Sequence, residues 1–189
     1  LELRNHFLKN LEIAANTADE QDRKKLLTIV IAGGGPTGVE VSGMLAEMKK
    51  NIVGKDYPEL AGRGRDAHIY LVDGSDKVLA PMSTQSQDDT CKALNEMGVE
   101  IKFGLHVTDF ADDMISFSNG EKLAAKTLVW TAGVIGTSYE GLPAESYGRG
   151  KRLLVNQYNE VKDLPNVFAI GDACLQMLSL IHISERAGK

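Results

Sequence analysis

Apolar and polar positions along the chain alternate in three registers, and each register predicts a different kind of element. Leu1, Leu3, Phe7, Leu8, Leu11 and Ile13 recur at mostly helical spacings, predicting an amphipathic helix from Leu1 to about Asn16. Thr17 to Lys25 is polar throughout and reads as a solvated connector into the first strand. Leu26 to Ala32 is a continuous β-branched and aliphatic run, the signature of a strand buried on both faces. Val39, Ser42, Gly43 and Ala46 then give the small-residue face of a helix.

The pattern breaks from Lys49 to Arg65, where Gly54, Pro58, Gly62 and Gly64 predict an excursion holding at most a short helical turn. His68 to Asp73 reads as a second strand. Thr84 to Met97 reads as a polar-faced helix ended by Gly98, and Val99 to Phe103 as a third strand, completing a parallel β-α-β-α-β unit. Beyond Leu105 the runs shorten: Leu105 to Phe110, Met114 to Phe117 and Glu121 to Leu123, with a Ser118-Asn119-Gly120 turn, predict an antiparallel meander. Lys126 to Trp130 returns as a buried strand. Gly136 to Arg152 is loop-like, and the last predicted strands are Leu153 to Val155 and Asn166 to Asp172, the second ending in Gly-Asp. The fold class expected is α/β, a Rossmann-like parallel sheet with a β-meander crossover.

The junction between the first strand and its helix carries the strongest chemical signal. Gly33, Gly35 and Gly38 stand at G-x-G-x-x-G spacing within the turn Gly33-Gly34-Gly35-Pro36-Thr37-Gly38, the candidate cofactor-binding loop. The first glycine lets the chain reverse, the second lets a pyrophosphate approach the backbone, and the third lets the helix press on its strand. Phosphates would rest on N–H groups that are unpartnered at any helix start, where the peptide dipoles also favour negative charge. Pro36 presets the helical φ at little cost. Asp73 ends the second strand, where a carboxylate can accept both hydroxyls of an adenosine ribose. It stands 35 residues after Gly38, against a usual span of about 20, and the 49–65 excursion accounts for the excess. An acid with no arginine in the next few positions favours NADH over NADPH, with Lys77 a weak signal the other way. Ala132 and Gly133, after Thr131, put small residues at a strand's carboxyl end, where open α/β sheets bind ligands.

Composition narrows the partners. The chain has 189 residues and a net charge of −5 with no basic run, which argues against nucleic acid and against an anionic membrane surface. No apolar run is long enough to span a bilayer and no signal peptide opens the chain, so a cytoplasmic protein is expected. Cys91 and Cys174 stand alone in sequence and the four histidines are scattered, so neither a redox pair nor a metal site is expected. Tyr147 and Lys151 match a Tyr-x-x-x-Lys dehydrogenase pair, but Gly148 and Gly150 would disrupt the helix that such a pair requires. The start at Leu1 suggests a fragment or processed product.

Four separated stretches, LRNHFLKNLEIA (3–14), IAGGGPTGVEVSGMLAE (31–47), TLVWTAGV (127–134) and NVFAIGDA (166–173), together resemble the type II NADH dehydrogenases. These are single-subunit NADH:quinone oxidoreductases with two dinucleotide-binding domains. The resemblance implies an amphipathic helix and connector at 1–25, an NADH-binding domain at 26–135 inserted in a FAD domain, a return segment at 136–173, and a tail at 174–189 that does not resemble the family and is suspected to be non-native. It implies that the glycine turn holds the NADH pyrophosphate, Asp73 the adenosine ribose, and Ala132 and Gly133 the nicotinamide. Gly171 and Asp172 match the family's FAD-binding acid motif. Glu40 matches an acid near nicotinamide and flavin, the expected catalytic residue. An acid in a first helical turn is also favoured by the dipole, by about 0.3–1 kcal/mol. The family's amino-terminal FAD glycine motif is absent, so a stable FAD is not expected on this chain. The full-length relative would pass hydride from NADH to FAD and electrons to quinone, lie peripherally on the cytoplasmic face of the membrane, and have a homodimer as its candidate assembly. Other two-domain flavoprotein reductases, and a non-catalytic nucleotide-sensing module, are the competing expectations.

Overall fold

In a computed structural model of the chain, residues 2–61, 67–133 and 135–176 are described. Leu1, residues 62–66 of the predicted excursion, Val134 of the 127–134 stretch and the tail beyond Gln176 lie outside them. The chain divides into two units, Leu1–Ala132 and Gly133–Lys189.

The first unit opens with helix α1 (Glu2–Ala15), which buries Phe7, Asn10, Leu11 and Ala14 as one stripe. Ile13, expected on the apolar face, is exposed. The predicted connector is instead helix α2 (Glu20–Leu27). Asp19 caps it by accepting the Asp22 N–H at 2.8 Å, and Arg23, Leu26 and Leu27 are buried at helical spacing. The cap and the two leucines outweigh the polar composition, so the first strand starts later than the apolar run suggests, as β1 (Ile29–Ala32). Helix α3 (Pro36–Met48) follows with Pro36 in its first turn. The excursion is more ordered than expected: a π-helical turn (Lys49–Val53) leads to two short helices, α4 (Gly54–Asp56) and α5 (Pro58–Ala61). Then come β2 (Ile69–Asp73), α6 (Thr84–Glu96) and β3 (Val99–Phe103). The antiparallel meander β4 (Val107–Ala111), β5 (Met114–Phe117) and β6 (Lys122–Ala124) precedes β7 (Thr127–Trp130).

The main sheet is parallel, in the order β3-β2-β1-β7. β1 is therefore central and buried along its whole length, which explains its unbroken apolar run. Its alternate side chains serve two cores. Ile29 and Ile31 join Phe7, Leu11, Leu45, Leu60 and Leu94 in a core shared with the helices. Val30 faces the other way and packs with Tyr70, Val72, Ile115, Phe117 and Ala125, between the sheet and the meander. Three layers result: helices, parallel sheet and meander. The Lys126 ammonium binds both carboxylate oxygens of Asp113, at 2.9 and 2.8 Å, pinning the β4–β5 turn to the start of β7.

The second unit holds a small core of Leu153, Val155, Val161 and Ala169. β8 (Leu153–Val155) pairs in parallel with β9 (Cys174–Gln176). The strand expected over Asn166 to Asp172 does not form: the segment has one isolated bridge, Glu160 to Phe168, and a 3₁₀ turn at Gly171–Ala173. An apolar run becomes a strand only with a neighbour to take its backbone hydrogen bonds, and no ladder extends past the Glu160–Phe168 bridge here; Phe168 and Ile170 are 62% and 73% exposed. Tyr147 and Lys151 share no helix: Tyr147 is extended and Gly150 between them has φ +71°.

Candidate functional site

Because β1 runs between β2 and β7, its carboxyl end opens onto the crevice where the strand order reverses, and the glycine turn sits there. Contact distances explain its composition. Gly33 has φ +118°, and a Cβ on it would lie 2.8 Å from the Ala132 nitrogen and 2.9 Å from Thr131 Oγ1. A Cβ on Gly38 would lie 1.8 Å from the Gly33 carbonyl oxygen. A Cβ on Gly34 would press on the Asp73 carboxylate at 3.2 Å, whereas Gly35 faces open space. Gly35 is also the N-cap of α3 and brings no side chain to cap it. The N–H groups of the first turn, Thr37 and Gly38 among them, have no partner within a helix.

Two donors of the turn are engaged. Gly33 N–H donates to Val72 O at 2.8 Å, and Gly34 N–H donates to Asp73 Oδ2 at 2.5 Å. Asp73 Oδ1 accepts the Ser75 N–H at 2.7 Å and the Ser75 hydroxyl at 2.5 Å. Burial raises the Asp73 pKa, but these hydrogen bonds, led by that of the Ser75 hydroxyl, and the nearby His106 outweigh it and hold the carboxyl below its ordinary value. A carboxylate offers about four acceptor positions, and protein donors fill three of them. One remains, so Asp73 as it stands takes a single ribose hydroxyl. The Ser75 hydroxyl has a second acceptor, Lys77 O at 2.7 Å. Its one proton can serve only one of the two, and rotation towards Lys77 would free Asp73 for both ribose hydroxyls.

Gly33, Gly34, Gly35, Pro36, Thr37, Gly38, Asp73 and Ala132 are thus assembled at one end of the parallel sheet. Ala32, Gly33, Asp73, His106, Trp130 and Ala132 line a cleft of about 210 Å³ there. That is below the 300–1,000 Å³ of sites for drug-sized ligands, so it suits one moiety of a dinucleotide. Glu40 is exposed on α3 and is its fifth residue. It lies past the first turn, contrary to expectation, and the helix dipole gives it little support there. Gly133, with φ +76°, opens the second unit. Gly171, with φ +66°, and Asp172 lie in the second unit's 3₁₀ turn.

Sequence reading missed Thr131, Ser75, Gly74 and His106. Thr131 Oγ1 donates to Ala32 O at 2.9 Å and lies 3.1 Å from Gly33 O, bracing the turn against the end of β7. The Asp-Gly-Ser order was a readable sign of an Asx turn. Nothing local marked His106. Among the described residues, no group of three or more His, Cys, Asp or Glu could hold a metal ion, and no helix is long and apolar enough to cross a membrane.

A central parallel strand, a glycine turn that admits no side chains at its tight positions, and an acid ending the neighbouring strand define a dinucleotide-binding α/β protein. The family profile of the pyridine nucleotide-disulphide oxidoreductases matches residues 2–188, and the chain belongs to that family. It is 31% identical over 180 residues to the type II NADH:quinone oxidoreductase Ndh of Mycobacterium tuberculosis, covering 91% of this chain and 38% of that one. It is 28% identical over 197 residues to the mitochondrial internal alternative NAD(P)H-ubiquinone oxidoreductase A1 of Arabidopsis thaliana, covering 100% of this chain and 38% of the relative. Its fold matches the structure of NDH2 from Plasmodium falciparum in complex with NADH, with a TM-score of 0.81 at 22% identity, over 98% of this chain and 40% of the other. The chain therefore spans about two fifths of the length of these relatives.

Proposed function

We propose that this chain is the NADH-binding portion of a FAD-dependent NADH:quinone oxidoreductase. The observation that carries the reading is the glycine turn at the end of β1, closed to side chains at Gly33 and Gly38, open at Gly35, and hydrogen-bonded through Gly34 to Asp73. The pyrophosphate rests on the α3 amino terminus at Gly35, Thr37 and Gly38, because the Gly33 and Gly34 donors are engaged. Asp73 accepts a ribose hydroxyl and, carrying charge, repels a 2′-phosphate, which selects NADH over NADPH. Ala132 and Gly133 leave room for the nicotinamide beside the backbone, and Glu40 handles proton or hydride position at that end.

FAD would be met on this chain at Gly171 and Asp172. These residues fit one contact of such a site: the positive φ of Gly171 leaves the turn open and the Asp172 carboxylate is exposed. Bound FAD would supply acceptance of a hydride from NADH and delivery of its two electrons to a quinone. On this reading residues 26–135 are the NADH domain and the chain from 136 is the return towards the FAD domain; the non-native tail expected from 174 is not proposed, since Cys174–Gln176 pairs with β8 and the family profile runs to residue 188. The whole protein sits peripherally at the cytoplasmic face of a membrane, and a homodimer is its candidate assembly.

Calorimetric titration of the chain with NADH and with NADPH tests the reading. Binding of NADH at least tenfold tighter than NADPH is the expected result. Equal affinity removes the specificity role of Asp73, and binding of neither nucleotide overturns the assignment of a self-sufficient NADH site. Trp130, the only tryptophan, lines the cleft and is 61% exposed. Its emission overlaps the dihydronicotinamide absorption, so its quenching by NADH gives an independent readout.

A further inference from the structure

The chain leaving β3 is laid along the loop that follows β2. Leu105 N–H donates to Asp73 O at 3.1 Å and Gly104 N–H to Ser75 O at 3.0 Å. From its other side His106 is held by the turn of the meander: its N–H donates to Ser118 Oγ at 3.1 Å and its carbonyl accepts the Ser118 N–H at 2.9 Å. The His106 backbone is therefore fixed on both sides. Its imidazole lies over Gly74, where a Cβ would come within 1.7 Å of Cε1 and 2.3 and 2.4 Å of the ring nitrogens. Gly74 thus leaves the ring the space that any other residue would fill. The ring lines the same cleft as Asp73, and among the described residues neither ring nitrogen has a hydrogen-bond partner.

Two complementary groups consequently share one cleft. Asp73 has one acceptor position left after its three protein donors. The imidazole offers both a donor and an acceptor in its neutral form. A vicinal diol needs that combination. Resting on the NADH reading above, we propose that His106 is a second ligand of the adenosine ribose, forming with Asp73 a two-sided clamp on its hydroxyls, and that Gly74 is the residue that admits the ring.

ADP-ribose is the probe, since it carries the adenosine ribose without the nicotinamide, and NADH is titrated alongside it. His106→Ala weakens both ligands by about the same factor, roughly fivefold for one hydrogen bond. Gly74→Ala displaces the flexible ring and produces the same loss. The double variant loses roughly fivefold rather than the product of the two factors, because both substitutions remove one contact. His106→Gln, which keeps a donor and an acceptor, recovers part of the affinity. Unchanged ADP-ribose binding in His106→Ala overturns the clamp while leaving the NADH reading intact. Multiplicative losses overturn the role of Gly74, and a wild-type chain that binds neither NADH nor ADP-ribose overturns the self-sufficient NADH site and the clamp on it together. Circular dichroism of each variant checks that the fold is retained; an unfolded Gly74→Ala leaves the decision to His106→Ala and His106→Gln.

Discussion

Gly38 and Gly43 lie five residues apart on α3, and alanine at these positions is expected to act with opposite sign. Away from other contacts, replacing glycine by alanine within a helix stabilises it by about 0.5–1 kcal/mol. At Gly43 the new Cβ meets only Met97 Cε at 3.8 Å, an ordinary contact, so Gly43→Ala gains that amount. At Gly38 the Cβ would lie 1.8 Å from the Gly33 carbonyl oxygen and 2.9 Å from Thr131 Oγ1. Non-bonded heavy atoms settle near 3.5 Å, so the glycine turn and the helix start must part by roughly 1.5 Å. The obstructing atom is backbone and cannot rotate away. Overpacking of this kind costs about 1–3 kcal/mol, which leaves Gly38→Ala destabilised by up to about 2.5 kcal/mol after the propensity gain. All α-helices among the described residues lie in the first unit, so urea unfolding followed by far-ultraviolet circular dichroism reports on it. The two variants are expected to bracket the wild-type midpoint at unchanged m-value. NADH affinity should fall at least tenfold in Gly38→Ala and stay unchanged in Gly43→Ala. A Gly38→Ala protein that unfolds at the same urea concentration as Gly43→Ala refutes the close-approach argument.

The other expectations follow from the same geometry. Asp73→Asn should weaken NADH binding and narrow the preference over NADPH in paired titrations. Because the folded Asp73 carboxyl titrates below its ordinary value, its stabilisation is present above the unfolded carboxylate pKa, near 4, and is lost as pH falls through the lower folded pKa. Asp73→Asn should therefore flatten the acid limb of stability against pH, measured by urea midpoints from neutral pH downwards. In a full-length relative, substituting the equivalent of Glu40 by glutamine should slow flavin reduction in stopped-flow more than it weakens NADH binding, and an unchanged rate would remove the assignment. Asp19→Ala deletes the α2 cap and should cost about 1 kcal/mol in urea unfolding. No change there would mean that packing of Leu26 and Leu27 alone holds that helix.

Features that depend on the periodicity of neighbouring residues were readable from the chain. The parallel β1, β2 and β3, the meander, the return strand β7 and the glycine turn all follow from runs of like residues and from the special backbone freedom of glycine. Asp73 was found because it ends a strand, a position that local pattern reveals. Two misreadings have one origin: composition was weighed without the partner surface. The 17–25 segment is polar yet helical, because Asp19 caps it and Leu26 and Leu27 bury its end. The 166–172 segment is apolar yet forms no strand, because no neighbour supplies a continuous hydrogen-bond ladder.

By itself the sequence determined the strands β1 to β7, the helices α1, α3 and α6, their parallel or antiparallel character and the chemistry of the loop that joins β1 to α3, since these rest on steric rules acting over a few residues. Tertiary structure decided which donors of that loop remain free and how many lone pairs Asp73 has left. It also decided that His106 stands in the cleft, through backbone hydrogen bonds that bring residues 104 to 106 against 73 to 75 and Ser118 against His106. Such distances are set by strand register and by the crossing of loops far apart in the chain, and the order of residues along the chain does not record them.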